Sequence, residues 1–245
     1  MMFLLSQSRL GLALLFSIVL TCSGLVQAAA SFSVSPVRVN LSAKNKVTSL
    51  TVTNQGKEPT TVQLEALAWS QNEQGQDVFE PSKNILANPP VFTIAPNSSQ
   101  VIRLGLRKPA LGQSEESYRL FLQEVPPPPK EGFTGLSIAL RLSIPVFVQP
   151  NEPIKTSLEW RLKSTNEGLK LLADNQSQGH IQVLSVLLIP EQQESFANQS
   201  LTNYLLPQQK REWLIKDKHL AVGTPVMLKA QTDRGELKAQ LTVEE

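Results

Sequence analysis

The sequence predicts an all-β protein built as two tandem β-sandwiches. Three observations carry that expectation. Helical periodicity is nearly absent beyond residue 30. Short runs of alternating apolar residues recur, separated by Gly, Pro and Asn turns. A segment with two prolines and no other apolar residue, "QPNEP" at 149–153, splits these runs into two sets. At 41% hydrophobic and 18% charged, the 245-residue chain has ordinary globular composition.

Residues 1–30 precede both sets and read as a cleaved signal peptide. "MMFLLSQSR" carries one basic residue, Arg9, and an uncharged apolar core follows. "QAAAS" then offers small residues for cleavage near Ala28 to Ala30. The apolar run falls short of the ~20 residues of a membrane span. The expected route is secretory. The only cysteine, Cys22, leaves with the signal, so the mature cores must hold without a disulfide. About 215 residues remain, enough for two domains. Cleavage removes one of 23 basic residues and none of the 21 acidic ones, leaving a nearly neutral chain. No nucleic-acid partner is expected from such a balance.

The first domain is expected at 31–149. "FSVSPVRVNL" and "VTSLTVTN" open it, and "GKEP" makes a turn. In "TTVQLEALAW" the alternation places Val62, Leu64, Ala66 and Ala68 on one face. "QNEQGQD" reads as a polar loop. "VFTIAP", "SSQVIRLGLR", "SYRLFLQEV" and a long final run complete about seven strands. Four consecutive prolines, Pro126 to Pro129, favour an extended, stiff approach to that last strand. The second domain, 150–245, restarts with "IKTSLEWRL", "GLKLLADN", "HIQVLSVLLI", "NYLLP", "PVMLKAQT" and "ELKAQLTV".

The long run is "GLSIALRLSIPVFVQP", 135–150. Leu136, Ile138, Leu140, Leu142, Ile144, Val146 and Val148 fall on one face without a break. About 13 residues at ~3.3 Å each span ~40 Å, more than a small sandwich needs. Either all seven lie in one core, or part of the strand covers a partner. A free aliphatic edge suits another sheet that lacks a strand. Four such side chains would contribute ~6–12 kcal/mol gross on burial.

Signatures of catalysis are missing. No Cys/His spacing suits zinc, and no phosphate loop or nucleophile elbow occurs. No catalytic residue, metal, cofactor or nucleotide is assigned. His180 and His219 read as surface or structural residues, and Glu115–Glu116 as a solvated pair. Asn97, Asn175 and Asn198 sit in Asn-x-Ser triplets.

Several segments, in order, are similar to the periplasmic pilus-assembly chaperones of the chaperone–usher pathway. These are "SVSPVRVNL", "VTNQGKEP", "NPPVFTIAPNSSQVIRLGLR", "YRLFLQEVPPPP", "IALRLSIPVFVQP", "LEWRL", "NQSQGHIQVLSV" and "YLLPQQKREW". "RLFLQEVP" and "LSIPVF" most resemble the archaic or alternative, spore-coat-like branch. The resemblance covers essentially the whole mature chain. It implies two immunoglobulin-like domains set as a boomerang. It also implies that Leu136, Ile138, Leu140 and Leu142 are lent to an incomplete pilus subunit, while Ile144, Val146 and Val148 stay in the chaperone's own core. An outer-membrane usher would accept the complex; self-association of the free form is left open by the sequence. The match for the family's carboxylate-binding arginine is Arg38. Pro145 stands where many relatives have a lysine, so the second cation is left among Arg103, Arg107 and Arg141. The competing function is a secreted two-domain adhesin or carbohydrate-binding module. That would call for clustered exposed aromatic residues, whereas the three Trp and two Tyr are dispersed in the sequence.

Overall fold

The computed structural model describes residues 32–110, 112–128, 138–191, 194–198, 201 and 203–245. The expected signal peptide and Leu136 lie outside them. Every regular element among the described residues is a strand. In the N-terminal half these are β1 (Phe32–Ser35), β2 (Val39–Ser42), β3 (Val47–Asn54), β4 (Thr60–Gln71), β5 (Asp77–Pro81), β6 (Ile85–Asn88), β7 (Val91–Ile94), β8 (Ser99–Leu106), β9 (Glu116–Val125) and β10 (Arg141–Gln149). The C-terminal half holds β11 (Leu158–Thr165), β12 (Gly168–Asn175), β13 (Ile181–Pro190), β14 (Phe196–Asn198), β15 (Asn203–Leu205), β16 (Lys210–Lys216), β17 (Pro225–Thr232) and β18 (Gly235–Glu244).

The N-terminal strands form two sheets. One has the order β1-β3-β8-β6; the other runs β2-β10-β9-β4-β5, with β7 also on β4. Period-two alternation decides what each strand buries. β3 turns Leu50 and Val52 inward, and β8 turns Ile102 and Leu104. From the facing sheet come Val62, Leu64, Leu120, Leu122, Ile144, Val146 and Val148. Asn54 ends β3 fully buried, and its amide donates to the Glu58 and Ile94 carbonyls while its oxygen accepts from Gly56 N–H. The "GKEP" turn is therefore tied to the core by one side chain.

The C-terminal strands enclose a second core around Trp160, Leu162, Leu171, Val186, Leu228 and Val243. The run β14-β13-β17-β18 joins β11-β12-β16 through a parallel pairing of Leu162 with Val243 and Lys163 with Glu244. Asn175 repeats the role of Asn54: fully buried, it donates to the carbonyls of Gly179, Leu205 and Leu206. It is therefore no glycan acceptor, despite its triplet.

Three features differ from the sequence-based expectation. The first half has ten strands rather than about seven. β5 and β6 follow the segment read as a polar loop; β5 is an edge strand, almost wholly exposed, so apolar alternation is not required of it. β16 and β14 also went unpredicted. Finally, β10 begins at Arg141, so Ile138–Leu140 form an extended lead-in rather than part of the ladder.

Candidate functional site

β10 has two unlike edges. Against β9 it pairs along its length, from Arg141↔Gln123 to Val148↔Glu116. On the other side β2 covers only Val146–Gln149, in parallel. Among the described residues no strand pairs with that edge from Ile138 to Pro145. Glu124 N–H donates to the Leu140 carbonyl, directly opposite, at 2.8 Å. Alternation then aims the backbone groups of 140, 142 and 144 at β9, and those of 141, 143 and 145 at the free edge. Pro145, which has no N–H, therefore forfeits no bond within its own sheet. The Leu140 N–H closes on the Glu124 carboxylate at 3.0 Å, tying the lead-in to β9.

The lead-in side chains divide. Leu140 and Leu142 are half-buried against the chain's own core. Ile138 stands clear, 65% exposed.

On the face away from that core, β10 presents Arg141, Ser143, Pro145 and Phe147. Arg119 of β9 is the register partner of Pro145. Continuing the β2 register one residue places Arg38 on the other side of Pro145. Arg119 and Arg38 thus flank Pro145 in one row. The Arg119 guanidinium lies 3.8 Å from the centroid of Trp69 and 5.3 Å from that of Tyr204. Burial lowers its pKa, opposed by Asp77 and Tyr204, but a guanidinium stays cationic at neutral pH. Its Nε is buried and has no acceptor among the described residues. Burial raises the Tyr204 pKa, and Arg38 and Arg119 oppose that rise.

Row and aromatics lie where the two sandwiches meet. Trp69 and Phe147 from the first pack with Leu206 and Tyr204 from the second. Gln71 ties the same seam, donating to the Tyr204 carbonyl and accepting from Leu206 N–H. Beside it, the His180 ring stacks on Phe147 with centroids 3.5 Å apart. His180 Nδ1 is 2.6 Å from Glu115 Oε1, and Nε2 is 3.5 Å from Asp233 Oδ2. The same Asp233 oxygen accepts from Arg38 at 2.7 Å. Glu115 is therefore not a solvated carboxylate but a buried one, 5% exposed, crossing between domains. Only Glu116 keeps a polar edge, accepting from the Tyr118 hydroxyl and the Asn84 amide. Burial and Glu116 push Tyr118 up to about 12.

The residues expected as anchors separate. Arg38 is in the cleft. Arg103 projects from β8 on the opposite sheet, and Arg107 is exposed just beyond the same strand. Arg141 shares the face of Pro145 but lies about 13 Å away along the strand, over the Phe121 ring at 4.2 Å. Arg119 was missed because it was read as one polar position of "SYRLFLQEV". The register that brings it beside Pro145 is a property of strand pairing. Trp69 and Tyr204, 135 positions apart in sequence, form the buried junction, not an exposed aromatic platform.

Residues 31–153 match the family described as pili and flagellar-assembly chaperone, PapD N-terminal domain. Among curated proteins nothing matches the chain. Several solved structures share the fold. One is the CsuC–CsuE chaperone–tip adhesion subunit pre-assembly complex from archaic chaperone-usher Csu pili of Acinetobacter baumannii (TM-score 0.67, 19% identity, covering 88% of this chain and 100% of that one). The YadV chaperone is similar over 86% of this chain and 99% of its own (TM-score 0.62, 20% identity). So is a chain of the Salmonella enterica SafA pilin in complex with the SafB chaperone, over 86% and 95% (TM-score 0.58, 19% identity). At these identities the likeness is one of fold.

Proposed function

This chain belongs to the family of pili and flagellar-assembly chaperones, and from that premise we propose that it acts by lending the free edge of β10 to a pilus subunit that lacks a strand. The unpaired edge from Ile138 to Pro145, beside a fully paired β9 side, carries the reading. Backbone groups of 141 and 143 supply ladder bonds, and Pro145 supplies its carbonyl. Ile138 offers its whole aliphatic side chain to the subunit. Leu140 and Leu142, half-buried, serve both cores. Leu136, outside the described residues, continues the lent face by its place in the alternation.

The subunit's C-terminal carboxylate is proposed to sit at Arg38 and Arg119, on either side of Pro145. A guanidinium holds a carboxylate in a bidentate fork. Arg119 thus takes the place left by the lysine that many relatives carry at the Pro145 position. A strand anchored there and pairing back toward Ile138 must run parallel to β10. The N-terminal domain is taken as 31–149 and the C-terminal domain as 150–245. Residues 1–30 direct the chain to the periplasm, and an outer-membrane usher receives the complex.

The test is co-purification with the pilin-like products encoded beside its gene. Wild type is expected to yield a one-to-one complex that Ile138→Asp weakens and Arg38→Gln weakens further. If both variants capture subunit as wild type does, the edge and the anchor are wrong.

A further inference from the structure

We propose that His180 is a positioning residue for carboxylate capture: clamped between Glu115 and Asp233, it holds the carboxylate that orients Arg38, and its proton sets how strongly the cleft attracts an anion. The inference rests on the reading of Arg38 as an anchor.

The clamp is built from both domains. Glu115, just before β9, accepts from the His180 backbone N–H at 3.1 Å and contacts Nδ1 at 2.6 Å. An acceptor at that distance keeps the proton on Nδ1 when the ring is neutral. Phe147 fixes the ring plane, stacked within 8° of parallel. Nε2 is buried without a hydrogen-bond partner among the described residues and faces Asp233 Oδ2 in the β17–β18 turn, 3.5 Å away, within ion-pair but not hydrogen-bond geometry. Asp233 is itself fixed by the Gln182 N–H at 2.9 Å and by Arg38.

Among the described residues, the other charged groups around the ring are few. Arg234 donates from Nε to the His180 carbonyl, and so binds the backbone rather than the imidazole. Tyr204 is 5.7 Å from the ring, and Arg119 lies beyond Tyr204. With His180 protonated, Glu115, His180, Asp233 and Arg38 sum to zero. With His180 neutral the same four carry one negative charge, and a lone pair faces Asp233. An incoming carboxylate meets less repulsion in the first state.

Burial pulls the His180 pKa down, but the Asp233 and Glu115 carboxylates outweigh it and leave it raised. Burial likewise pushes Asp233 up, and its His180, Gln182 and Arg38 partners bring it to about 2. Protonation and orientation thus meet at one oxygen, Asp233 Oδ2.

The test follows imidazole and arginine Nε–H resonances of the mature protein by NMR against pH. The chain has two histidines, so His180→Gln assigns the ring signal, and Arg38→Lys assigns Arg38. His180 is expected to titrate above the ordinary ~6.5, with the Arg38 resonance moving at the same midpoint. An Arg38 resonance that stays flat through that midpoint overturns the coupling; if His180→Gln does not fold, replacing the exposed His219 by Gln identifies the His180 signal by elimination.

A second arm uses a valine–threonine peptide of about eight residues, the length of the free edge, as free acid and as amide. Preference for the acid is expected to be about tenfold or more, falling as pH rises through the His180 midpoint. In His180→Gln it should no longer vary with pH; Asp233→Asn serves if that variant does not fold. A pH-independent acid preference in wild type overturns the role of His180 and leaves the anchor standing. Equal binding of acid and amide removes the anchor, while the NMR arm still decides whether His180 and Arg38 are coupled.

Discussion

Arg119 stands opposite Pro145 in the β9–β10 ladder, and its guanidinium closes over Trp69 at 3.8 Å. The opposed positions form a non-hydrogen-bonded pair, the closer of the two kinds in an antiparallel sheet. A cation on β9 is thereby brought to the level where β10 has none.

Removing that cation should weaken capture without unfolding the protein. Arg119→Gln is expected to lower affinity for a subunit about 10- to 100-fold, the range of a charge-assisted hydrogen bond. Pro145→Lys in the same chain should restore much of the loss, because it returns a cation to the same row. Titration calorimetry on both variants decides it. No rescue would mean that Arg119 acts by packing on Trp69 rather than by charge.

The two kinds of aliphatic residue on the β10 face should separate in stability measurements. Ile138→Asp, at a mostly exposed position, is expected to shift urea unfolding by under ~0.5 kcal/mol while reducing capture. Leu140→Asp should destabilise the free protein as well, because Leu140 packs on the chaperone's own core. Leu122→Ala, at a fully buried site, should cost about 2–5 kcal/mol.

Stability should depend on pH at both ends. The folded His180 pKa is raised, so its contribution is complete below ~6.5 and is lost as pH rises through the folded value. Asp233 is depressed to about 2, so its contribution is complete above the usual carboxylate range and is lost as pH falls toward that value. Urea midpoints across pH should decline above neutrality in wild type and flatten in His180→Gln. Asp233→Asn should remove the acid limb.

Asn175 supplies a control remote from binding. Three carbonyls accept from its one amide group. Asn175→Ala is expected to cost about 1–3 kcal/mol by leaving buried acceptors unpaired, with little change in capture. A larger effect on capture than on stability would show that the second domain's seam shapes the cleft.

How far the sequence could be read follows from what each feature depends on. Alternation in "VTSLTVTN", "TTVQLEALAW" and "SIPVFVQ" is enforced by burial on one face, so β3, β4 and β10 were legible. β5 is an edge strand held by pairing with β4, and nothing in its composition demands alternation. Arg38 was reachable through family resemblance. Arg119 was not, since the neighbour of Pro145 is set by a register between strands about 25 residues apart. Nor was the Glu115–His180–Asp233 clamp, whose members come from two domains and are adjacent only after both have folded.

The half-length cover of β10 by β2 has a mechanical meaning. A visiting strand that zips along the open edge from Ile138 meets occupied backbone after Pro145. Under the proposed strand lending it would be stopped by collision, with its chain end beside the proposed anchors Arg38 and Arg119. The gap therefore behaves as a ruler of about 26 Å. On the proposed reading it would select a polypeptide by how far its terminus lies from its missing-strand groove, and many sequences of the right length could satisfy one chaperone.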